Sequence, residues 1–214
     1  AAARCNVVPV DVGIAGEKVE GVLDRRIADG TADFTQGPAM TRKQALLAIE
    51  TGMALVRDAR KAGFSLLATG EMGIGNTTTS SAVAAVLLGE PVERMTGRGA
   101  GLSDAGLGRK LDAIRRGISR NRPNAGDALD VLGKLGGLDI AGLCGVFLGG
   151  ARYRVPIVMD GFISGVAALC AVRLCPRAEA AIFASHASSE PAARRVMEAL
   201  GKRPLITAGM HLGE

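Results

Sequence analysis

Four short, almost wholly apolar runs most constrain what this chain can fold into. They are "SLLA" (Ser65 to Ala68), "VPIVMD" (Val155 to Asp160), "AAIFAS" (Ala180 to Ser185) and "PLITAG" (Pro204 to Gly209). None alternates polar with apolar residues, so neither face of such a strand is made for water. Strands of this kind belong to parallel sheets that helices cover on both sides. Helical spacing fills the gaps: a segment after Thr41 that stops at Gly63, then Thr77 to Leu88, Leu107 to Ile118, Ala125 to Leu135, Ile140 to Leu148, Ile163 to Leu174 and Ala192 to Leu200. Cys5 to Ile14 is a further strand candidate at the start. The alternation predicts an α/β fold, a doubly wound, mostly parallel sheet with Rossmann-like topology. Its 214 residues, 48% of them hydrophobic, suffice for one core domain spanning 1–214.

Local signals agree with this outline. Thr41 is placed to N-cap the first long helix, with Gln44 at the capping-box position. Ser103 is placed to cap the helix that follows it. Aromatic residues make up 3% of the chain, with no Trp and one Tyr, which leaves little to stack on single-stranded nucleic acid. The net charge is +5, and the densest basic stretch, "RRGISRNR" (Arg115 to Arg122), reads as a solvated helix end. No apolar run reaches the length of a membrane helix, and "AAAR" does not open a signal peptide. Cys5, Cys144, Cys170 and Cys175 lie in apolar company without zinc-type spacing, so all four are expected as small buried residues in a reducing cytoplasm.

The unusual polar residues fall at strand ends. Glu71 and Asn76 follow one strand, Asp160 and Gly161 end another, and Ser185, His186 and Ser188 end a third. Ligands of open parallel sheets bind outside the carboxyl ends of the strands, so these positions suggest one composite site. Ordinary helix-start chemistry explains the same residue types.

"LLATGEMGIGNTT" (Leu66 to Thr78) is the most specific of these pieces. Gly70 and Gly75 have P-loop spacing, but Asn76 stands where a P-loop has its lysine. The loss speaks against a triphosphate site. The turn Gly73-Ile74-Gly75-Asn76-Thr77 can still offer backbone N–H groups at a helix start, enough for a single phosphate. A plain strand-to-helix turn is the alternative. Thr78 also breaks the dinucleotide fingerprint, which makes a NAD-dependent dehydrogenase a distant reading. A second glycine cluster, "TGRGAGLSDAGLGRK" (Thr96 to Lys110), brings Arg98, Gly99 and Lys110 as possible phosphate contacts. "SHASSE" lacks a nucleophile elbow, which excludes a serine hydrolase of that type.

Together "GEMGIGNTT", "TGRGAGLSDAGL", "MDGFISGVAAL", "SHASSEP" and "GMHLGE" resemble the nicotinate-nucleotide:dimethylbenzimidazole phosphoribosyltransferase family, in its order and over essentially the whole chain. The resemblance implies a donor with one phosphate, nicotinate mononucleotide, and a benzimidazole-type acceptor base. It places Gly73 to Asn76, Lys110 and Ser188 near the phosphoribosyl group, with Asp160 and Gly161 in the same cleft. It makes Glu214 the general base and Glu71 a second active-site glutamate. It implies no metal and no cofactor, because the leaving group is already a pyridinium, and it implies a homodimer. The family's long N-terminal segment and its residues beyond the matching glutamate are not in this sequence, so its small helical domain is expected to be largely absent. A non-catalytic nucleotide-binding domain, or an inactive fragment, is the alternative.

Overall fold

A computed structural model describes residues 5–99 and 101–207. Three parallel strands underlie the site: β3 (Leu67–Ala68), β4 (Ile157–Met159) and β5 (Ile182–Ala184), side by side in that order. Leu67 pairs with Ile157, and Ile157 pairs with Ile182. A parallel bridge from His186 to Ile206 extends the sheet past β5. Helices α1 (Arg42–Lys61), α2 (Asn76–Leu88), α3 (Val92–Met95), α4 (Asp104–Asn121), α5 (Ala128–Leu135), α6 (Leu138–Tyr153), α7 (Gly161–Leu174) and α8 (Pro191–Leu200) surround it, with a 3-10 turn at Pro176–Ala181. The expected Rossmann-like α/β class is therefore the observed one. Among the described residues, no helix is long and apolar enough to cross a membrane.

Sequence explains where each helix sits. In α7 the residues from Phe162 to Ala171 are all buried, because small and apolar side chains occupy every face. Helix α1 starts with the expected capping box: the Gln44 N–H donates to Thr41 Oγ1 at 3.2 Å, and the Thr41 N–H donates to Gln44 Oε1 at 2.9 Å. Ser103 caps α4 by accepting from the Gly106 N–H. Asp127 caps α5 by accepting from the Leu129 and Asp130 N–H groups, which moves that helix start from the expected Ala125 to Ala128. Helix α6 runs on to Tyr153, past the expected end at Leu148. Gly149 and Gly150 let it pack closely on α1 and on the start of β4.

Other expectations are corrected. The strand expected over Cys5 to Ile14 shrinks to β1 (Val10–Asp11), and it pairs in parallel with β2 (Leu23–Asp24) in a separate two-stranded sheet. No pattern marks β2, because two residues carry no period. The strand expected from Pro204 to Gly209 is reduced to the bridge at Ile206, and Ala208 and Gly209 lie outside the described residues. Cys144 and Cys170 are buried, where desolvation holds both thiols above their usual range, Cys170 at about 12. Cys5 and Cys175 are exposed, contrary to expectation. Cys175 falls at the C-cap of α7 and Cys5 precedes the first pairing strand, so neither is drawn into the core.

The segment around β1 is tied down by one buried carboxylate. Asp11 is 3% exposed. It accepts from the Gly13 and Ile14 N–H groups and receives two hydrogen bonds from the Arg26 guanidinium, at 2.9 and 3.1 Å. Burial pushes this carboxyl upward. The Ile14 N–H, Arg26 and the Gly13 N–H outweigh that and hold it below the usual carboxylate range. A folded-state value below the unfolded one stabilises above the unfolded pKa, and that stabilisation is lost as pH falls through the folded value. Asp11→Asn should therefore speed amide exchange at Gly13 and Ile14 at neutral pH. The difference from wild type should narrow as the medium is acidified below about pH 4.

Candidate active site

The ends of β3, β4 and β5 carry a chain of side-chain contacts that links most of the residues singled out above. Thr69, just past β3, accepts from the Asp160 N–H at 3.1 Å and donates to the Val158 carbonyl, fixing the β3 and β4 ends to each other. From there the backbone turns through Gly75, whose φ of 76° lies in the left-handed region that favours glycine. Helix α2 begins directly after it and has no side-chain cap. The Thr78 N–H reaches the Gly75 carbonyl at 3.4 Å, while the Asn76 and Thr77 N–H groups precede the intrahelical ladder and are left as donors for an anion.

Asn76 and Thr77 open α2 and face two different environments. The Asn76 amide donates to Glu71 Oε2 at 2.7 Å and to Asp139 Oδ2 at 2.8 Å. Both amide hydrogens are thus spent on carboxylates, while Asn76 Oδ1 is buried with no donor. Glu71 also accepts from the Gly73 N–H at 2.5 Å. Thr77 belongs to the cationic side: Lys110 Nζ donates to Thr77 Oγ1 and to the Gly97 carbonyl, both at 3.0 Å. Lys110 is 6% exposed. Burial pushes its ammonium below the ordinary lysine range, and the charge of Glu190 opposes that. An ammonium has three hydrogens, so one remains for a ligand.

The other sequence candidates take up places around these two poles. Gly99 (φ 55°) donates its N–H to Glu190 Oε1 at 3.1 Å. Arg98 turns away to the Leu102 carbonyl and to Asp104, with about half of its side chain exposed. Ile74 is 81% exposed on the loop. Gly161, His186 and Ser188 line a cavity of about 10 Å³ with Met159 and Phe162. Asp160 Oδ1 stands 3.8 Å from His186 Nδ1. The Ser185 hydroxyl has one hydrogen, which goes to the Met159 carbonyl at 2.8 Å. The same hydroxyl stands 2.9 Å from His186 Nδ1, which fixes the ring beside Asp160 and Gly161. Glu214 lies outside the described residues.

Sequence reasoning missed two participants. Asp139, in the first turn of α6, looks like an ordinary acid favoured at a helix start. Glu190, before Pro191, looks like a solvated residue ahead of a helix. Only tertiary contact brings either into the site. A larger cleft of about 460 Å³, lined by Gly30, Met40, Arg42, Leu129 and Lys134 among others, contains none of the candidate residues.

The fold defines an α/β protein with a parallel sheet, and its candidate site joins an uncapped helix start, a buried lysine and two carboxylates held by Asn76. The whole chain, residues 1–214, matches a family profile described as phosphoribosyltransferase. A nicotinate-nucleotide–dimethylbenzimidazole phosphoribosyltransferase of Acetivibrio thermocellus is 51% identical over 210 residues, covering 98% of this chain and 60% of that relative. One of the same name from Ruminiclostridium cellulolyticum is 49% identical over 212 residues, covering 99% and 60%. The crystal structure of CobT from Thermus thermophilus superposes with a TM-score of 0.93 at 42% identity, covering all of this chain and 64% of that one. The chain belongs to the nicotinate-nucleotide–dimethylbenzimidazole phosphoribosyltransferase family. It spans about 60% of the length of the curated relatives it matches.

Proposed function

We propose that residues 1–214 form the core domain of an enzyme that moves the 5-phosphoribosyl group of nicotinate mononucleotide to 5,6-dimethylbenzimidazole. The products are α-ribazole 5′-phosphate and nicotinate, for the lower ligand of cobalamin. The reaction belongs in the cytoplasm, and the working form is a homodimer, as the family resemblance implies. The observation that carries this reading is the pair of opposite poles on consecutive residues. Asn76 holds the carboxylates Glu71 and Asp139, and Thr77 holds the Lys110 ammonium. Nicotinate mononucleotide has matching poles, a cationic pyridinium nitrogen at C1′ and an anionic phosphate at C5′.

The chemistry follows from that arrangement. Lys110 and the Asn76 and Thr77 N–H groups at the start of α2 hold the phosphate. A ring nitrogen of the benzimidazole forms a bond to C1′ on the face opposite the pyridinium. The bond from C1′ to the pyridinium nitrogen breaks, and its electron pair neutralises that ring, which leaves as nicotinate. The N–H proton of the acceptor passes to a carboxylate, a role we give to Glu214. Positive charge grows at C1′ on the way, and the fixed carboxylate of Glu71 stabilises it. Inversion at C1′ gives the α-configured product.

Incubation with both substrates, followed by chromatography, tests the reading: nicotinate and α-ribazole 5′-phosphate should appear in equal amounts. Glu71→Gln should lower turnover about tenfold and leave donor affinity within about twofold, since the lost interaction is strongest in the transition state. Donor binding without product would favour the non-catalytic nucleotide-binding reading for this chain.

A further inference from the structure

The loop at Gly97 to Gly99 is gripped from two sides by opposite charges. On one side the Gly97 carbonyl accepts from Lys110 Nζ at 3.0 Å. On the other the Gly99 N–H donates to Glu190 Oε1 at 3.1 Å. Glu190 Oε2 is buried and has no hydrogen-bond partner. It lies against Gly97: a Cβ at that position would collide with this oxygen and with Pro191 Cδ. Glu190 stands at the N-cap of α8, yet its side chain makes no cap hydrogen bond there. Its own N–H donates to Ser188 Oγ at 3.3 Å, which ties the "SHASSE" segment to the same contact.

A carboxylate at an N-cap ordinarily satisfies the N–H groups of its own helix. Here it gives that up and leaves one oxygen buried and unpaired, an arrangement that costs free energy unless a cation nearby offsets it. Lys110 is that cation. The two do not touch as a direct ion pair, because the loop backbone lies between them. The groups facing Lys110 are the Thr77 hydroxyl from α2, the Gly97 carbonyl from the loop and the charge of Glu190 from α8. Arg98, on the same loop, is committed to Asp104.

We propose that Glu190 is a positioning residue for the phosphate end of the site: it fixes the Gly97–Gly99 backbone and supplies the counter-charge that Lys110 needs in its buried seat. This rests on the reading of Lys110 as the phosphate contact. Glu190 touches neither the phosphate nor C1′, and acts through the loop and the lysine. Without its charge, desolvation acts on Lys110 unopposed, and the lysine gives up its proton at lower pH.

The test compares wild type, Glu190→Gln and Glu190→Asp by two independent readouts. The first is the titration of the Lys110 side chain followed by NMR without ligand. The second is calorimetric binding of nicotinate mononucleotide at pH 6 and pH 9. Glu190→Gln keeps the shape and an acceptor for Gly99, so the fold should survive. We expect Lys110 to titrate at lower pH in Glu190→Gln and to recover most of the difference in Glu190→Asp. We expect donor affinity in Glu190→Gln to fall about tenfold at pH 9 and less than about threefold at pH 6, as a charge-assisted contact is lost only where the lysine is neutral. In the turnover assay the same variant should raise KM for the donor with kcat nearly unchanged. An unchanged Lys110 titration overturns the proposal, whatever the binding shows. A shifted titration in a chain that does not bind the mononucleotide upholds the Glu190–Lys110 coupling and overturns the phosphate reading of the site.

Discussion

Lys110→Met should weaken binding of nicotinate mononucleotide by about 100-fold, roughly 2.7 kcal/mol. Methionine keeps most of the aliphatic stem and removes the charge. The lysine is nearly sealed from water, with two of its hydrogens already on Thr77 and Gly97. A buried, charge-assisted hydrogen bond to an anion sits at the strong end of the range, about 1.5–3 kcal/mol, because the surroundings screen it poorly. The loss should not depend on the nicotinate ring, so ribose 5-phosphate should lose affinity by a similar factor. Thermal stability should fall as well, because methionine leaves the buried Glu190 carboxylate without its counter-charge and the Thr77 and Gly97 oxygens without their donor. Isothermal calorimetry with both ligands measures the first effect and a melting curve the second. Affinity within threefold of wild type would remove Lys110 from the phosphate site.

A second large effect concerns the scaffold. Gly145→Ala should destabilise the chain by about 3–4 kcal/mol, a fall in melting temperature of roughly 10 °C. Gly145 is on α6, where it faces α1. A Cβ there would run into the backbone of Ile49, its carbonyl oxygen first, and backbone in mid-helix cannot turn aside as a side chain can. Gly52 on α1 meets the Gly142 carbonyl from the opposite side, so the two helices touch through a seam of bare backbone. Gly108→Ala is the matched control. Gly108 is an exposed residue of α4 with no atom near its missing Cβ, and alanine there should stabilise by about 0.5–1 kcal/mol through the unfolded chain. Urea melts of both variants distinguish a steric cost from a general intolerance of alanine.

How far the sequence alone reaches depends on the range of each interaction. The apolar runs around Leu67, Ile157 and Ile182 announce parallel strands because burial on both faces is a property of each strand by itself. The caps at Thr41 and Ser103 can be read because their partners are three residues away. β2 cannot be read, since Leu23 and Asp24 become a strand only by pairing with Val10 and Asp11. The exposure of Cys175 turns on where α7 stops, and cysteine itself carries no signal for that. At the site, the glycine turn before Asn76 is visible as spacing. The partners of Asn76 and Lys110 are not: Asp139 lies 63 residues beyond Asn76, and Glu190 reaches Gly99 across 91 residues.

One feature of the start of α2 sets a limit on what the site can take. Asn76 and Thr77 are neighbours in the chain, and consecutive Cα atoms are about 3.8 Å apart across a rigid peptide unit. The amide that binds Glu71 and Asp139 and the hydroxyl that binds Lys110 therefore sit on adjoining residues, and these two anchor points cannot be drawn apart without unwinding the first turn of the helix. The pair works as a caliper with its jaws locked. Under the proposed function its two jaws answer the two charges of nicotinate mononucleotide, which one pentose separates.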